Sequence, residues 1–363
     1  MTSAGQPVPG NVHVDILIVG AGPVGLYGAY YAGFRGLRTA LIDSLPEAGG
    51  QVTAMYPEKQ IFDVGGFPAI KGRHLVANLV AQAAPFDPVY LLGEQAELLE
   101  RIPAEDDGPD TLVVTASSGI QVHAKSVIVS SGIGTFTPRP LPNGSAYENR
   151  GLSYFVPELA PYADQDVVIV GGGDSAFDWA LALQPLARSV YLVHRRDKFR
   201  AHEHSVSLVR DSGVQIVTNA QVREILGTDV VEGVEIAITG QEEPLMLSCQ
   251  RIIAALGFTA NLGPLLEWRL DIRHHRHIPV DSAMRTAQPG IFAAGDITEY
   301  DGKVRLISVG FGEVATAVCN AAHHMNPAMS VFPGHSSDLP AAPPSPPPPP
   351  RSAVAAEESV PVA

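Results

Sequence analysis

Two apolar runs in this chain each end in a glycine-rich turn, and the residues standing at the same distance beyond the two turns carry opposite charge. The run VDILIVG from Val14 leads into GAGPVG, with Gly20, Gly22 and Gly25, and the next apolar stretch ends at Asp43. The run VVIVG from Val167 leads into GGGDSA, with Gly171, Gly173 and Ala176. As far beyond Gly171 as Asp43 stands beyond Gly20 comes His194-Arg195-Arg196. A strand, a tight glycine turn and a helix place the helix N-terminus and its free N–H groups against a pyrophosphate. A carboxylate at the end of the following strand accepts hydrogen bonds from an unmodified adenosine ribose and repels a 2′-phosphate, whereas guanidinium forks attract one. One such turn is weak evidence, but two with matched spacing predict an α/β chain of two Rossmann-like units. The first suits FAD or NAD and the second NADPH.

Size and charge agree with an enzyme of this kind. At 363 residues, 45% of them hydrophobic, the chain can bury two cores. Its formal net charge of −14 argues against a nucleic-acid partner and against an anionic membrane surface. Cys249 and Cys319 form neither a CxxC nor a zinc pattern, which points to a reducing, cytoplasmic setting. The uncharged stretch from Ile16 to Phe34 is long enough for a membrane span, but its glycines and Pro23 divide it into strand, turn and helix. The start of the chain lacks the basic and apolar regions of an export signal.

Beyond the first unit, periodicity predicts a helix from Leu75 to Ala83 and strands from Thr111 to Ala116 and from Ser126 to Ser130. The turn-rich segment at 132–151 reads as a crossing between domains. The second unit then predicts a helix from Ser175 to Ala187 and a strand from Ser189 to His194. Further strands are expected at Gln215 to Thr218, Gly233 to Ile238 and Arg251 to Ala255, and LGFTAN reads as the return crossing. A late apolar strand ends in Gly295-Asp296, a place where a carboxylate and a helix N-terminus meet a cofactor. Its position after the second unit implies that the first domain is split and the second inserted between its halves. The cluster His274 to His277 reads as a surface loop.

Taken in order, GAGPVGLYGAYYAG, Asp43, GGQV, FDVGGFP, GGGDSAFDWAL, HRRDKFRAHE, GIFAAGDITEYDGKVRLISVGFGEVATAV and a late His-Ser pair resemble the thioredoxin-reductase-like ferredoxin–NADP reductases. The resemblance runs from about Val14 to Ser337. It implies a homodimeric FAD protein that exchanges a hydride with NADP(H) and single electrons with ferredoxin or flavodoxin. Thioredoxin reductases share both domains but carry a CxxC before the second glycine turn, and the matching stretch here has no cysteine. A thiol relay needs an attacking thiolate with a resolving partner beside it. Reduction of a quinone or a small disulfide, and a regulatory flavoprotein acting through its tail, remain open alternatives.

Carried over residue by residue, the resemblance implies that Gly20, Gly22 and Gly25 line the FAD pyrophosphate and that Asp43 holds the ribose. It also implies that Gln51 and Tyr56 contact the flavin, with Tyr56 stacked on it, and that Ala96 meets the adenine and Phe136 lies near the crossing. Asp296 is implied at the ribityl chain, and His335 and Ser337 on the second flavin face. On the NADPH side, Gly171, Gly173, Asp174 and Ser175 would open the helix against the pyrophosphate, with Arg195, Arg196 and Arg200 around the 2′-phosphate. The expected parts are 13–138 and 262–337 for the split FAD-binding domain and 139–261 for the NADPH-binding domain. A proline-rich tail at 338–363 is expected to be disordered. Because ferredoxins are acidic, Lys59, Lys71, Arg73 and Lys303 stand as candidates for a basic docking patch.

Overall fold

The apolar runs become the centres of two separate parallel sheets. In a computed structural model of the chain, residues 11–105 and 108–335 are described. The first sheet runs Ile291–Ala293, Ser126–Val129, Ile16–Val19, Thr39–Asp43 and Val89–Leu92, all parallel. Its central strands are continuous apolar runs because both faces are covered. The helices Pro23–Phe34, Gly72–Ala83 and Ile307–Met325 pack on one face, burying Leu26, Leu75, Leu79 and Val314 with Ile16 and Ile18. The two long helices cross closely at Gly28, where a Cβ would fall 2.6 Å from Val314. A four-stranded sheet, from Ala96–Ile102 through Thr111–Ala116 and Gln121–Ala124 to Asn11–His13, covers the other face.

The second sheet orders its parallel strands Leu152–Ser153, Arg251–Ala255, Asp166–Gly171, Ser189–Val193 and Gln215–Val217. Helices Asp174–Leu183 and Glu203–Arg210 bury Phe177, Trp179 and Val209 against one face. The antiparallel strands Ala220–Leu226, Gly233–Ile238 and Leu245–Ser248 cover the other. This whole unit lies in sequence between Ser126–Val129 and its neighbour Ile291–Ala293, so the first sheet is closed by a strand from beyond the second. The strands Thr135–Pro138 and Phe258–Asn261 pair antiparallel where the chain leaves and returns, at the two segments read as crossings. Gly134 there has φ +82°, and a Cβ on it would fall 2.3 Å from the Asn261 carbonyl oxygen. Only glycine fits so close a meeting of two backbones.

The two units also touch through polar contacts that absorb the expected docking cations. Lys59 pairs with Asp178 of the second unit, and the Arg73 guanidinium donates to the Pro157 carbonyl at 2.9 Å. Lys71 and Arg73 also pair with Glu58. Lys303 is no docking residue: its side chain is 2% exposed and ion-paired with buried Glu313.

Candidate active site

The first cleft, of about 1140 Å³, opens where the parallel strands of the first sheet end, the usual ligand position in such sheets. Gly20, Asp43, Ser130 and the Gly295-Asp296 pair line it from four strand ends. Gly20 has φ +110°, and a Cβ there would fall 2.6 Å from the Ser130 carbonyl oxygen. Gly22 precedes Pro23 at the helix N-terminus, and no side chain caps that helix. Ser, Thr, Asp or Asn normally satisfies such N–H groups, so a glycine here leaves them for an outside anion. Gly25 departs from the sequence expectation: it does not line the cleft, and a Cβ on it would fall 1.9 Å from the Gly20 oxygen. Its work is to let the helix close on the turn.

Asp43 is fixed by its own backbone surroundings. One carboxylate oxygen accepts the Ala21 N–H at 2.7 Å and the other the Leu45 N–H at 2.9 Å. Burial pushes its pKa up, and these two N–H groups oppose the rise. Each oxygen can accept one hydrogen bond more, enough for two ribose hydroxyls. Gln51 and Tyr56 line the same cleft at the two ends of the short helix Gln51–Met55, and Ala96 lines it from the start of its strand. Burial, and then the charges of Asp296 and Asp63, hold the Tyr56 phenol above its usual range. Phe136 lies on the crossing strand Thr135–Pro138. Asp296 stands on a turn held from beneath. The Gly295 N–H donates to Glu313 at 2.7 Å, and the same carboxylate accepts the Tyr300 hydroxyl at 2.5 Å and binds Lys303.

The second cleft, of about 1340 Å³, repeats the plan. Gly171, Gly172 and Gly173 line it, Gly173 begins the helix Asp174–Leu183 without a side-chain cap, and a Cβ on Gly173 would meet nothing within 4 Å. Arg195, Arg196, Lys198 and Arg200 line one side. Their loop is fastened to the glycine turn, since Arg200 N–H donates to the Gly172 oxygen at 2.8 Å. Asp174 is spent on that fastening, its carboxylate accepting the His202 N–H at 2.8 Å, and exposed Ser175 does not line the cleft. The His194 ring occupies the space over Gly172, where a Cβ would fall 2.3 Å from it, and packs on Phe199. Burial chiefly lowers its pKa, so it serves as an uncharged wedge.

His335 is not in the first cleft. It is exposed and packs edge-on to Phe332 at 5.2 Å between ring centroids. Ser337 and the tail at 338–363 lie outside the described residues. Sequence reading missed Glu94, Gln95 and Ile307 in the first cleft and Arg139, Lys198 and Gln221 in the second. The strand-end rule would have found Glu94, two residues past Val89–Leu92. Among the described residues no cluster of His, Cys, Asp and Glu is arranged for a metal, and no helix is long and apolar enough to cross a membrane.

The chain is similar to known proteins over most of its length. A family model described as pyridine nucleotide-disulphide oxidoreductase matches residues 14–321. The ferredoxin–NADP reductase of Nocardioides sp. is 59% identical over 92% of this chain and 99% of its own length. That of Frankia alni is 62% identical over 89% of this chain and 98% of its own. The solved thioredoxin reductase of T. acidophilum is 25% identical with a TM-score of 0.68, covering 85% of this chain and 97% of that one.

Proposed function

The chain belongs to the pyridine nucleotide-disulphide oxidoreductase family, and on that premise we propose that it moves electrons between NADP(H) and ferredoxin through a bound FAD. The observation that carries this reading is the pairing of an acid-lined and a cation-lined cleft, each at an uncapped helix N-terminus behind a glycine turn. When bound, FAD supplies the exchange between two-electron nicotinamide and one-electron iron–sulfur chemistry. Asp43 would hold its ribose, the Gly20–Gly22 turn its pyrophosphate, and Asp296 and Gln51 the chain and ring. Tyr56 would stack on the ring and keep water from it, its raised pKa keeping the phenol neutral. Arg195, Arg196 and Arg200 would take the 2′-phosphate of NADP(H). Residues 13–138 and 262–337 form the FAD-binding domain in this reading, and 139–261 the NADPH-binding domain.

The homodimer that the resemblance implies is supported by where the C-terminal segment is tied. Arg35 closes the helix Pro23–Phe34 and donates to the carbonyls of Ser330 and Val331 at 2.7 and 2.9 Å. That anchor lies a helix length, about 18 Å, from the glycine turn at the other end. Four residues to His335 span at most about 14 Å, and its packing on Phe332 shortens the reach. In this reading the flavin that His335 would cover is that of a second copy. The cytoplasm suits the two free cysteines, and a flavodoxin is an alternative acceptor of the same chemistry.

The test is anaerobic. Purified protein should carry FAD, bleach on addition of NADPH, and recover its colour when oxidised ferredoxin is added. Bleaching without recovery would overturn the acceptor, and bound FMN or absence of flavin would overturn the cofactor assignment.

A further inference from the structure

The second cleft holds a cation that the arginine loop does not explain. Arg139 lines it from the crossing between the two units, on the far side of the glycine turn from Arg195 and Arg196. The sheet order settles which part of a ligand it meets. Gly171 ends the strand Asp166–Gly171, with Ser189–Val193 on one side and Arg251–Ala255 on the other. A dinucleotide whose pyrophosphate lies at the helix after Gly173 and whose adenosine lies over the end of Ser189–Val193 must extend its other half over the end of Arg251–Ala255. There Ala255, Leu256 and Gly257 line the cleft, and the Arg139 N–H donates to the Gly257 carbonyl at 2.9 Å.

Three further observations make Arg139 a ligand contact. It stands between Pro138 and Pro140, and a residue before proline is held extended, so its direction is set in advance. No hydrogen bond or ion pair among the described residues engages its guanidinium, unlike Arg35, Arg73, Arg101 and Arg188, which are all bound. No carboxylate lines the cleft with it, and a Cβ on Gly257 would meet nothing within 4 Å.

We propose that Arg139 binds the nicotinamide-mononucleotide half of NADP(H) through its phosphate, gripping the ligand from the residue that follows the crossing strand. This rests on reading the second cleft as the NADP(H) site. The cations of the cleft then divide in two: Arg195 and Arg196 read the 2′-phosphate, which NADH lacks, and Arg139 reads a phosphate common to both nucleotides.

The experiment titrates the FAD-loaded protein with NADP⁺ and with adenosine 2′,5′-bisphosphate, which ends before the nicotinamide half. Arg139→Gln should weaken NADP⁺ about tenfold, the effect of losing one charge-assisted contact, and leave the bisphosphate within about twofold. Arg195→Ala with Arg196→Ala should weaken both ligands, and Arg139→Lys should recover part of the NADP⁺ affinity. In steady state Arg139→Gln should raise the KM for NADPH and NADH by similar factors. Equal losses of NADP⁺ and the bisphosphate, or an unchanged NADP⁺ affinity, would overturn the assignment. Failure of the parent protein to bind either ligand would instead remove the reading of the cleft, and this proposal with it.

Discussion

The two clefts share one plan and differ in charge. The first is lined by Asp43, Glu94 and Asp296 and by no Lys or Arg; the second by Arg139, Arg195, Arg196, Lys198 and Arg200 and by no Asp or Glu. A pyrophosphate bound among carboxylates must rely on backbone N–H groups at the helix N-terminus, which no salt can replace. A phosphate bound among exposed guanidinium groups relies on charges that dissolved ions screen. In the proposed function the same turn would serve a resident cofactor in one half and an exchanging nucleotide in the other, with the strand end after the turn deciding which.

Stripping the second cleft of its charge should have the largest effect. Arg195→Ala combined with Arg196→Ala removes two charge-assisted contacts of about 1.5–3 kcal/mol each, so preference for NADPH over NADH should fall at least a hundredfold. The loss should appear in KM, with saturating turnover largely kept, because the contact is remote from the nicotinamide. Rising salt should weaken NADP⁺ binding to the parent while FAD retention stays flat. A double variant that still strongly favoured NADPH would show that this loop does not read the 2′-phosphate.

Next comes the carboxylate beneath the first cleft. Lys303 and Glu313 are 2% and 5% exposed, and Lys303→Met would leave Glu313 buried without its cation. Breaking a buried pair on one side costs about 3–5 kcal/mol. Denaturant unfolding followed by flavin release should show the first unit destabilised, with Trp179 of the second unit reporting little change. Equal loss in both units would mean that they do not unfold separately.

These two predictions mark what the sequence could and could not show. The glycine turns, Asp43 and the arginine loop were legible because each depends on spacing within about twenty-five residues of one βαβ unit. Lys303 was not: a lysine in a polar stretch reads as surface, and only the fold brings it under Glu313 ten residues on. The helix Ile307–Met325 gave no start signal, since Leu306 precedes it and no side chain caps it. Ala96–Ile102 is built of helix formers, AELLERI, yet forms a strand against Thr111–Ala116 because pairing there outweighs propensity. Arg139 stayed hidden for a related reason. TPRPLP marks a crossing, and nothing local says which cleft the guanidinium reaches.

A smaller effect tests the acid of the first cleft. Asp43→Asn should weaken FAD retention by about 1–3 kcal/mol, the loss of a charged acceptor. The pH dependence has a definite sign. Burial raises the Asp43 pKa in the folded protein, so without FAD protonation favours the fold, and that contribution is lost as pH rises through the raised value. FAD needs the carboxylate, so its retention should fall as the pH drops through the same value. Asp43→Asn should flatten that profile. A parent whose FAD retention is indifferent to acid would show that the ribose is held elsewhere.

The smallest expected effect, none at all, tests whether the two halves exchange electrons through sulfur as a thiol relay would. Cys249 is buried in the core of the second unit, and burial pushes its thiol up to about 12, so almost no nucleophilic thiolate is present near neutral pH. Cys319 is buried on the helix Ile307–Met325 of the first unit, where the Arg35 guanidinium donates to its sulfur at 3.3 Å. Neither cysteine lines the first cleft, and neither has a second cysteine in its own unit. Cys249→Ser with Cys319→Ser should therefore leave NADPH-driven ferredoxin reduction within about twofold of the parent, FAD content being equal. In the native parent, Cys249 should resist a thiol reagent at pH 8 until the protein is unfolded. Loss of turnover with FAD still bound would put sulfur on the electron path, and the acid-lined cleft would then be one station of a relay rather than its end.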